Sequence, residues 1–222
     1  MKKKQLTIHK IIWYVLIFSI IGLIIETLYG FITMGIIESR KGLILGPFCP
    51  IYGVGAAFLI VLLNEYKGKK IKLFFYGSLY GAIFEYICSY VLQIMYGSKF
   101  WDYSYMTYQI NGRISLIYMF FWGILSIILI EYIITFLDKF ISKIPEGFWD
   151  KFIITFLVID VFLTILGISV YMDRAKYAYE GIEKKKNILD YIFNDNIMSY
   201  TFPNLRYTDS SGNSIFVRDI IK

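Results

Sequence analysis

The chain has 222 residues, of which 57% are hydrophobic and 19% aromatic, and its formal net charge is +6. This composition is typical of integral membrane proteins and argues against a soluble domain. The basic residues lie in short loops beside apolar segments, where they mark the cytoplasmic side of a membrane, so nucleic-acid binding is not indicated.

Five apolar segments are long enough to cross a hydrocarbon core of about 30 Å. They cover 11–34, 43–63, 73–96, 114–137 and 152–172. The sequence therefore predicts an all-α, polytopic bundle of five transmembrane helices over residues 1–172. A small polar C-terminal tail, residues 173–222, follows as a soluble unit.

Lysine and arginine are more numerous in the N-terminal segment and in the loops after the second and fourth segments than on the opposite side. The positive-inside rule then places the N-terminus inside and the C-terminus outside. We expect a multi-pass protein of a bacterial cytoplasmic membrane.

Glu26 and Glu85 lie in the middle of the first and third segments, each on a helical stripe of small residues. A carboxylate at bilayer depth costs roughly 2.5 to 3.5 kcal/mol, so both glutamates are candidates for binding substrate or protons. The structural alternative is that each carboxylate only pins a neighbouring helix. Asp160, near the middle of the fifth segment, is a third candidate, whereas Glu131 is close enough to a helix end to be an interfacial charge.

A faint direct repeat relates the first and third segments. Gly22, Glu26 and Arg40 match Gly81, Glu85 and Lys99, each at an offset of 59 positions. Two parallel helical hairpins would follow, an arrangement that some transporters use to build a midplane site.

The second segment begins with the sequence GLILGPFCPIYGVG at 42–55. Its prolines remove two backbone donors and its glycines favour irregular backbone, so a broken or re-entrant entry is expected. Such an entry can present backbone groups to a ligand; the alternative is a proline-kinked helix start without function. The candidate residues of this entry segment are Gly46, Pro47, Cys49, Pro50, Tyr52 and Gly53.

Charged and aromatic residues also concentrate in the loop before the fourth segment. Arg113 is the natural counter-charge for the two glutamates, because a guanidinium can bridge carboxylates by forked hydrogen bonds. Asp102 could instead hold Arg113 or cap a helix. The remaining candidates in this loop are Trp101, Tyr103, Ser104 and Asn111.

The polar tail contains two predicted elements. Residues 173–193 could form a surface helix, and residues 205–219 resemble a β-hairpin that turns at Ser211, Gly212 and Asn213.

Several of these motifs together resemble one family, the bacterial membrane proteins named "putative type IV ABC-transporter" or CmpB-like proteins. The resemblance is carried by RKGLILGPFCPIYGVGA at 40–56, by Glu85, by WDYS at 101–104, by NGRISL at 111–116 and by LDYIFNDNIMSYTFPNL near the C-terminus. It departs from the family at Ser115, near which isoleucine and cysteine are expected. The resemblance implies a transport function whose ATPase would be a separate subunit, since the chain has no GxxxxGK[ST] phosphate loop.

Three functions are compatible with these residues. The first is a transporter or permease-like protein with an intramembrane carboxylate site. The second is a non-transporting membrane partner, sensor or scaffold, and the third is a membrane-embedded lipid-modifying enzyme in which paired carboxylates act as acid and base. No metal cluster, catalytic triad or cofactor motif is recognisable in the sequence, so no cofactor is expected. The expected partners are the lipid bilayer, an ATPase subunit or other membrane protein, and a second copy of the chain.

Overall fold

The computed structural model describes residues 6–96, 99 and 101–221. The structure is mostly helical, at 68%, with two short β-hairpins in the described residues. The elements in chain order are α1 (Ile8–Met34), α2 (Pro50–Leu63), α3 (Lys70–Tyr96), β1 (Gln109–Ile110), β2 (Ile114–Ser115), α4 (Leu116–Ile128), α5 (Ile134–Ile141), α6 (Phe148–Tyr179), α7 (Ile188–Ile192), α8 (Asp195–Thr201), β3 (Arg206–Thr208), β4 (Ser214–Phe216) and α9 (Val217–Ile220).

In the described part of the chain, three helical stretches are long and apolar enough to cross a membrane. They are Ile8–Met34, Leu116–Ile141 and Phe148–Tyr179. A shorter apolar stretch covers Pro50–Tyr66. The helix α3 is continuous over 27 residues, but Glu85 and several tyrosines make its sequence less apolar. The membrane class is thus supported, while the count of five spans stays a prediction.

Local signals place the ends of the first two helices. The Thr7 hydroxyl accepts a hydrogen bond from the backbone N–H of Lys10, and Gly35 ends α1 in the left-handed region at φ 70°, the conformation that glycine adopts most easily at a helix C-terminus. Pro50 is the first residue of α2, a position where its missing N–H costs nothing. Residues 41–49 form neither helix nor strand, so the predicted broken entry is present.

A π-helical segment, Leu129–Ile133, joins α4 to α5 without interrupting the long helix. Glu131 lies in it, and its Oε1 accepts a hydrogen bond of 2.6 Å from the backbone N–H of Gly68 in the turn between α2 and α3. Lys67 in the same turn donates to Thr135 at 2.6 Å. Glu131 therefore fastens the turn between α2 and α3 to the long helix.

The N-terminal end of α1 is held by charged side chains from two other helices. His9 Nδ1 lies 2.7 Å from Asp150 at the start of α6, while Tyr14 donates to Asp138 of α5 at 2.7 Å. Lys10 forms an ion pair of 3.1 Å with the same Asp138. These contacts bring the start of α1, the end of α5 and the start of α6 to one end of the bundle.

The tail packs at the other end of α6 around a buried arginine. Arg174 is 8% exposed, and its guanidinium donates to Asp195 at 2.8 Å, to Asp190 at 3.0 Å and to the carbonyl oxygen of Phe193 at 2.5 Å. Around it lies a separate apolar core formed by Val170, Tyr171, Ala175, Phe193, Met198, Phe202, Leu205 and Val217.

The expected surface helix over 173–193 is wrong as a single element. Residues up to Tyr179 prolong α6, and the short α7 begins only at Ile188, where Asn187 caps it. The hairpin is confirmed: β3 pairs with β4 in antiparallel register, with Tyr207 opposite Ile215. Because α6 continues through residue 172, the division of the chain at that position stays a prediction.

The tail also touches the segment that leads into α2. Ser39 donates to the carbonyl oxygen of Thr201 at 3.2 Å, and Arg218 forms an ion pair of 3.0 Å with Glu38. Gly167 of α6 leaves room for Phe193, whose ring would be 2.8 Å from an added β-carbon. The tail is thus packed against the helical bundle on the side from which the chain enters α2.

Candidate functional site

Glu26 of α1 is bound by an aromatic hydroxyl from α2. The hydroxyl of Tyr52 donates a short hydrogen bond to Oε1 of Glu26. One turn earlier on α1, a β-carbon on Gly22 would overlap the Tyr52 side chain. The missing side chain at Gly22 therefore lets Tyr52 lie across α1 and reach the carboxylate. We call this arrangement the Glu26 clamp.

Glu85 of α3 is held in the same manner by α4. The indole N–H of Trp122 donates to Oε2 of Glu85 at 2.9 Å, and the hydroxyl of Tyr103 donates to Oε1 at 2.9 Å. A β-carbon on Gly81, one turn before Glu85, would overlap Trp122. Only 8% of Glu85 is exposed. This second arrangement is the Glu85 clamp.

The two clamps use equivalent positions of two helical hairpins, α1 with α2 and α3 with α4. In each hairpin the glycine after the aromatic residue lies so close to a serine of the first helix that an added β-carbon would overlap the serine hydroxyl. The predicted repeat is thus supported by matching contacts. The first-helix pairs, offset by 59 positions, are Ser19 and Ser78, Gly22 and Gly81, and Glu26 and Glu85, and the second-helix pairs, offset by 70, are Tyr52 and Trp122, and Gly53 and Gly123.

The third member of the sequence repeat does not share this equivalence. Arg40 lies beside Gly30 and 3.9 Å from the sulfur of Met34. Lys99 instead donates to the carbonyl oxygen of Asn111 at 2.9 Å. The repeat therefore covers the helix pairs and not the loops that join them.

Arg113 does not form the expected bridge between the two glutamates. Its guanidinium donates to Ser89 at 3.0 Å and to Gln93, one and two turns beyond Glu85 on α3. The rings of Tyr86 and Tyr90 lie 5.7 and 5.4 Å from its Cζ. The buried cation is thus held by neutral oxygens and aromatic faces.

The hairpin loop explains where Arg113 points. Asn111 and Gly112 both have positive φ, 53° and 67°, as a tight Asn-Gly turn between β1 and β2 requires. The indole N–H of Trp101 donates to the carbonyl oxygen of Arg113 at 3.0 Å, and the amide of Asn111 donates to the hydroxyl of Tyr86 at 2.9 Å. These contacts fix the loop on α3 and direct the guanidinium away from Glu85.

Asp102 and Ser104 form a local turn outside the clamps. The Asp102 Oδ1 atom accepts from the backbone N–H of Ser104 at 3.0 Å and from its hydroxyl at 2.5 Å. These hydrogen bonds, with the nearby Lys99 ammonium, lower the pKa of Asp102. The Asp102 side chain is 54% exposed. Of the polar side chains in this loop, Tyr103 is the one that contacts a glutamate.

Asp160 is separated from both clamps and binds the entry segment. It is fully buried, and its two oxygens accept from the backbone N–H groups of Leu45 at 2.9 Å and of Gly46 at 3.1 Å. Thr164, one turn along α6, accepts from the N–H of Ile44 at 3.0 Å. The backbone donors freed by the broken helix are thus satisfied by α6.

The rest of the entry segment is held against its own chain and α1. The N–H of Gly42 donates to the carbonyl oxygen of Phe48 at 2.8 Å, and the N–H of Cys49 donates to that of Ser19 at 2.9 Å. Pro47 lies within this irregular stretch, and Pro50 begins α2. Cys49 is half-buried with a free thiol.

The two clamped glutamates differ from Asp138 and Asp190 in having no basic partner. Asp138 pairs with Lys10 and Asp190 with Arg174, but no ion pair joins a described basic side chain to Glu26 or Glu85. No group of His, Cys, Asp or Glu suited to a metal ion occurs among the residues in the described ranges. Each clamp is therefore an acidic site surrounded by neutral hydrogen-bond donors.

Trp122 is the site residue that sequence reasoning missed. A tryptophan in an apolar helix is commonly assigned to lipid contact or core packing. An aromatic residue followed by glycine occurs in both second helices, as Tyr52-Gly53 in α2 and as Trp122-Gly123 in α4. Once the first helices were aligned at an offset of 59 residues, a search of the second helices for a matching pair could have found Trp122.

Comparison with known proteins gave a family match. A family model described as "Putative ABC-transporter type IV" matches residues 13–166, which include both clamps and the entry segment. Searches of curated proteins and of solved structures gave no significant match.

Proposed function

The chain belongs to the family described as "Putative ABC-transporter type IV", and from this premise we propose that it is a permease-like membrane protein. In this proposal Glu26 and Glu85 bind the transported solute or a coupled proton. A separate ATPase subunit is the proposed energy source, because the chain carries no phosphate-binding loop.

The observation that carries the proposal is the duplication of a carboxylate site without a counter-charge. The structural carboxylates in the tail and the entry segment are held by a basic partner, as Asp190 is by Arg174, or by backbone N–H groups, as Asp160 is by Leu45 and Gly46. Glu26 and Glu85 instead accept hydrogen bonds from neutral aromatic donors. A proton or a cationic group of a solute would supply the missing charge.

The internal repeat supports the same proposal. Parallel repeats about an axis along the membrane normal build solute sites between them in several transporter folds. Here each hairpin contributes one carboxylate from the equivalent position of its first helix. Rocking of one hairpin against the other would change the surroundings of both carboxylates together.

The proposed topology has five crossings, formed by α1, α2, α3, the continuous α4–α5 helix and α6. The N-terminus is inside and the tail outside, in a bacterial cytoplasmic membrane. The fastening of the α1 start to the end of α5 and the start of α6, with the tail at the opposite end of α6, is compatible with an odd number of crossings.

The test is charge movement in proteoliposomes. Purified protein is adsorbed on a solid-supported membrane and exposed to jumps in pH and to a panel of amines, amino acids and sugars. We expect currents in the parent chain that fall to the background of empty liposomes in Glu26→Gln and in Glu85→Gln, since each variant removes a charge and keeps a hydrogen-bond acceptor.

Glu131→Gln is the matched control, because this glutamate fastens a turn away from both clamps and its variant should keep the parent currents. Parent-level currents in both clamp variants would remove the carboxylates from the mechanism. A parent chain that moves no charge with any challenge, and co-purifies with one other protein, would favour the scaffold function.

A further inference from the structure

A groove beside the Glu85 clamp combines one carboxylate with aromatic and aliphatic side chains. Its volume is about 390 Å³, within the range of small-molecule pockets. Glu85 lies at one part of it, with the rings of Tyr118, Phe121 and Trp122 around it, and the aliphatic residues Ile124, Leu125 and Ile128 continue the lining along α4. We call it the Glu85 groove.

The aromatic part of the groove is ordered by ring contacts. Tyr103, which donates to Glu85, stacks on Tyr118 with centroids 4.4 Å apart, and Tyr118 lies 6.2 Å from Phe121. The carboxylate is thus bordered by aromatic rings. The faces of such rings attract cations, most strongly when water is excluded.

The groove offers one negative charge and no positive one. Each oxygen of Glu85 accepts one hydrogen bond from the protein, which leaves acceptor capacity on both. Arg113, the counter-charge predicted from the sequence, is bound to Ser89 and Gln93. An incoming ligand that is itself cationic would complete the site.

We propose that the Glu85 groove binds an organic ammonium group attached to an aliphatic chain. The ammonium lies against the Glu85 carboxylate and the faces of Tyr118, Phe121 and Trp122, and the chain lies along Leu125 and Ile128. The inference rests on the proposed function, because it names the substrate class of one of the two clamps.

Two features favour ammonium over other ligands. A hard divalent metal ion would need several oxygen ligands, and Glu85 is the acidic residue that lines this groove. A neutral alcohol would leave the negative charge of the Glu85 carboxylate without a counter-charge. The same chain already holds a cation against tyrosine faces at Arg113, which is the kind of contact that the groove offers to a ligand.

The test is direct binding of radiolabelled n-hexylammonium to the full chain in nanodiscs of phosphatidylglycerol. We expect saturable binding to the parent chain and at least about tenfold weaker binding to Glu85→Gln, which corresponds to about 1.4 kcal/mol. Glu131→Gln in the same lipid should bind like the parent and controls for attraction of the probe to anionic lipid. Unlabelled hexanol should not displace the probe.

A second variant protects the test against misfolding of Glu85→Gln. Phe121→Leu keeps the groove apolar and removes one ring face, so hexylammonium binding should weaken while the unfolding temperature stays near that of the parent. Equal binding in both variants and the parent, displacement by hexanol, or no saturable binding to the parent would overturn the proposal.

The ammonium group can come from a free amine or from a lipid headgroup, and a second arm separates these sources. Phosphatidylethanolamine added to the nanodiscs should displace the probe if the headgroup is the source, and leave binding unchanged if a free amine is. Ammonium binding without any carboxylate-dependent current would contradict the proposed transport function but would support the proposed ammonium site. Carboxylate-dependent current without ammonium binding would contradict the ligand class alone.

Discussion

Replacement of Asp160 by asparagine should release the entry segment from α6. In the parent chain both carboxylate oxygens accept backbone N–H groups, from Leu45 and Gly46. Asparagine keeps one oxygen acceptor and turns an NH₂ group toward the other N–H. The charge assistance of both bonds is lost and one buried N–H is left without an acceptor.

The magnitude follows from these two hydrogen bonds. A hydrogen bond to a charged group contributes about 1.5–3 kcal/mol, and an unsatisfied buried donor costs about 1–3 kcal/mol. We therefore expect Asp160→Asn to lower the free energy of unfolding by about 2–4 kcal/mol. For a chain of this length that corresponds to a decrease in Tm of about 5–15 °C.

Thermal unfolding in mild detergent measures the decrease in overall stability. Maleimide labelling of Cys49 measures the local release of the entry segment. Cys49 lies between the entry segment and α2 and is half-buried, so its labelling rate should rise in Asp160→Asn when Cys88 is replaced by serine. Cys88 on α3, tested with Cys49 replaced, should keep its parent rate. A parent-like Tm together with an unchanged Cys49 rate would refute the assigned role of Asp160.

Two further predictions concern the clamps and the tail. Gly81→Ala should lower the free energy of unfolding by about 1–3 kcal/mol and change the intrinsic fluorescence, because the added methyl group overlaps Trp122. Gly22→Ala should lower the stability by a similar amount in thermal unfolding, because its methyl group overlaps Tyr52. Parent-like stability of both variants would contradict the close contact between each glycine and its aromatic partner. Burial alone would raise the pKa of Asp190, but backbone and side-chain hydrogen bonds, including that from Arg174, lower it below its ordinary value. The resulting stability of the tail is therefore present above about pH 4 and is lost as the pH falls through the lowered pKa. Limited proteolysis of the tail between pH 3 and about pH 7 measures this loss, which Asp190→Asn should abolish; an equal pH response in parent and variant would contradict it.

Much of the helical framework was predictable because its signals are local. Apolar runs marked the long helices, Pro47 and Pro50 indicated a broken start of α2, and the Asn111-Gly112 pair indicated a tight turn. The glycines before Glu26 and Glu85 predicted that both carboxylates would face a neighbouring helix. Each of these inferences depends on the residue itself or on its position within one turn of helix.

The end of α6 was not predictable from hydropathy. Residues 173–179 are polar but include good helix formers such as Arg174 and Ala175, so the helix continues where the apolar run stops. Hydropathy indicates where a segment leaves the hydrocarbon core of the membrane. Backbone hydrogen bonding and packing against the tail decide where the helix ends.

The contacts of Arg113 were not predictable either. Opposite charges attract each other, but the charges alone do not determine in which direction a side chain points. The turn at Asn111 and Gly112 and the bond from Trp101 to the Arg113 carbonyl oxygen aim the guanidinium toward Ser89. A one-residue change in loop length would have aimed it elsewhere. Long-range side-chain direction of this kind is set by the loop and not by composition.

The different aromatic residues in the two clamps make the halves chemically unequal. A phenol hydroxyl both donates and accepts, so Tyr52 can rotate its proton and stay bonded to Glu26 in either ionisation state. An indole N–H only donates, so Trp122 offers Glu85 no acceptor when the acid gains a proton. The hydroxyl that can accept this proton comes instead from Tyr103, so the change of ring type moves the proton-accepting partner of the second carboxylate from the paired helix to the preceding loop.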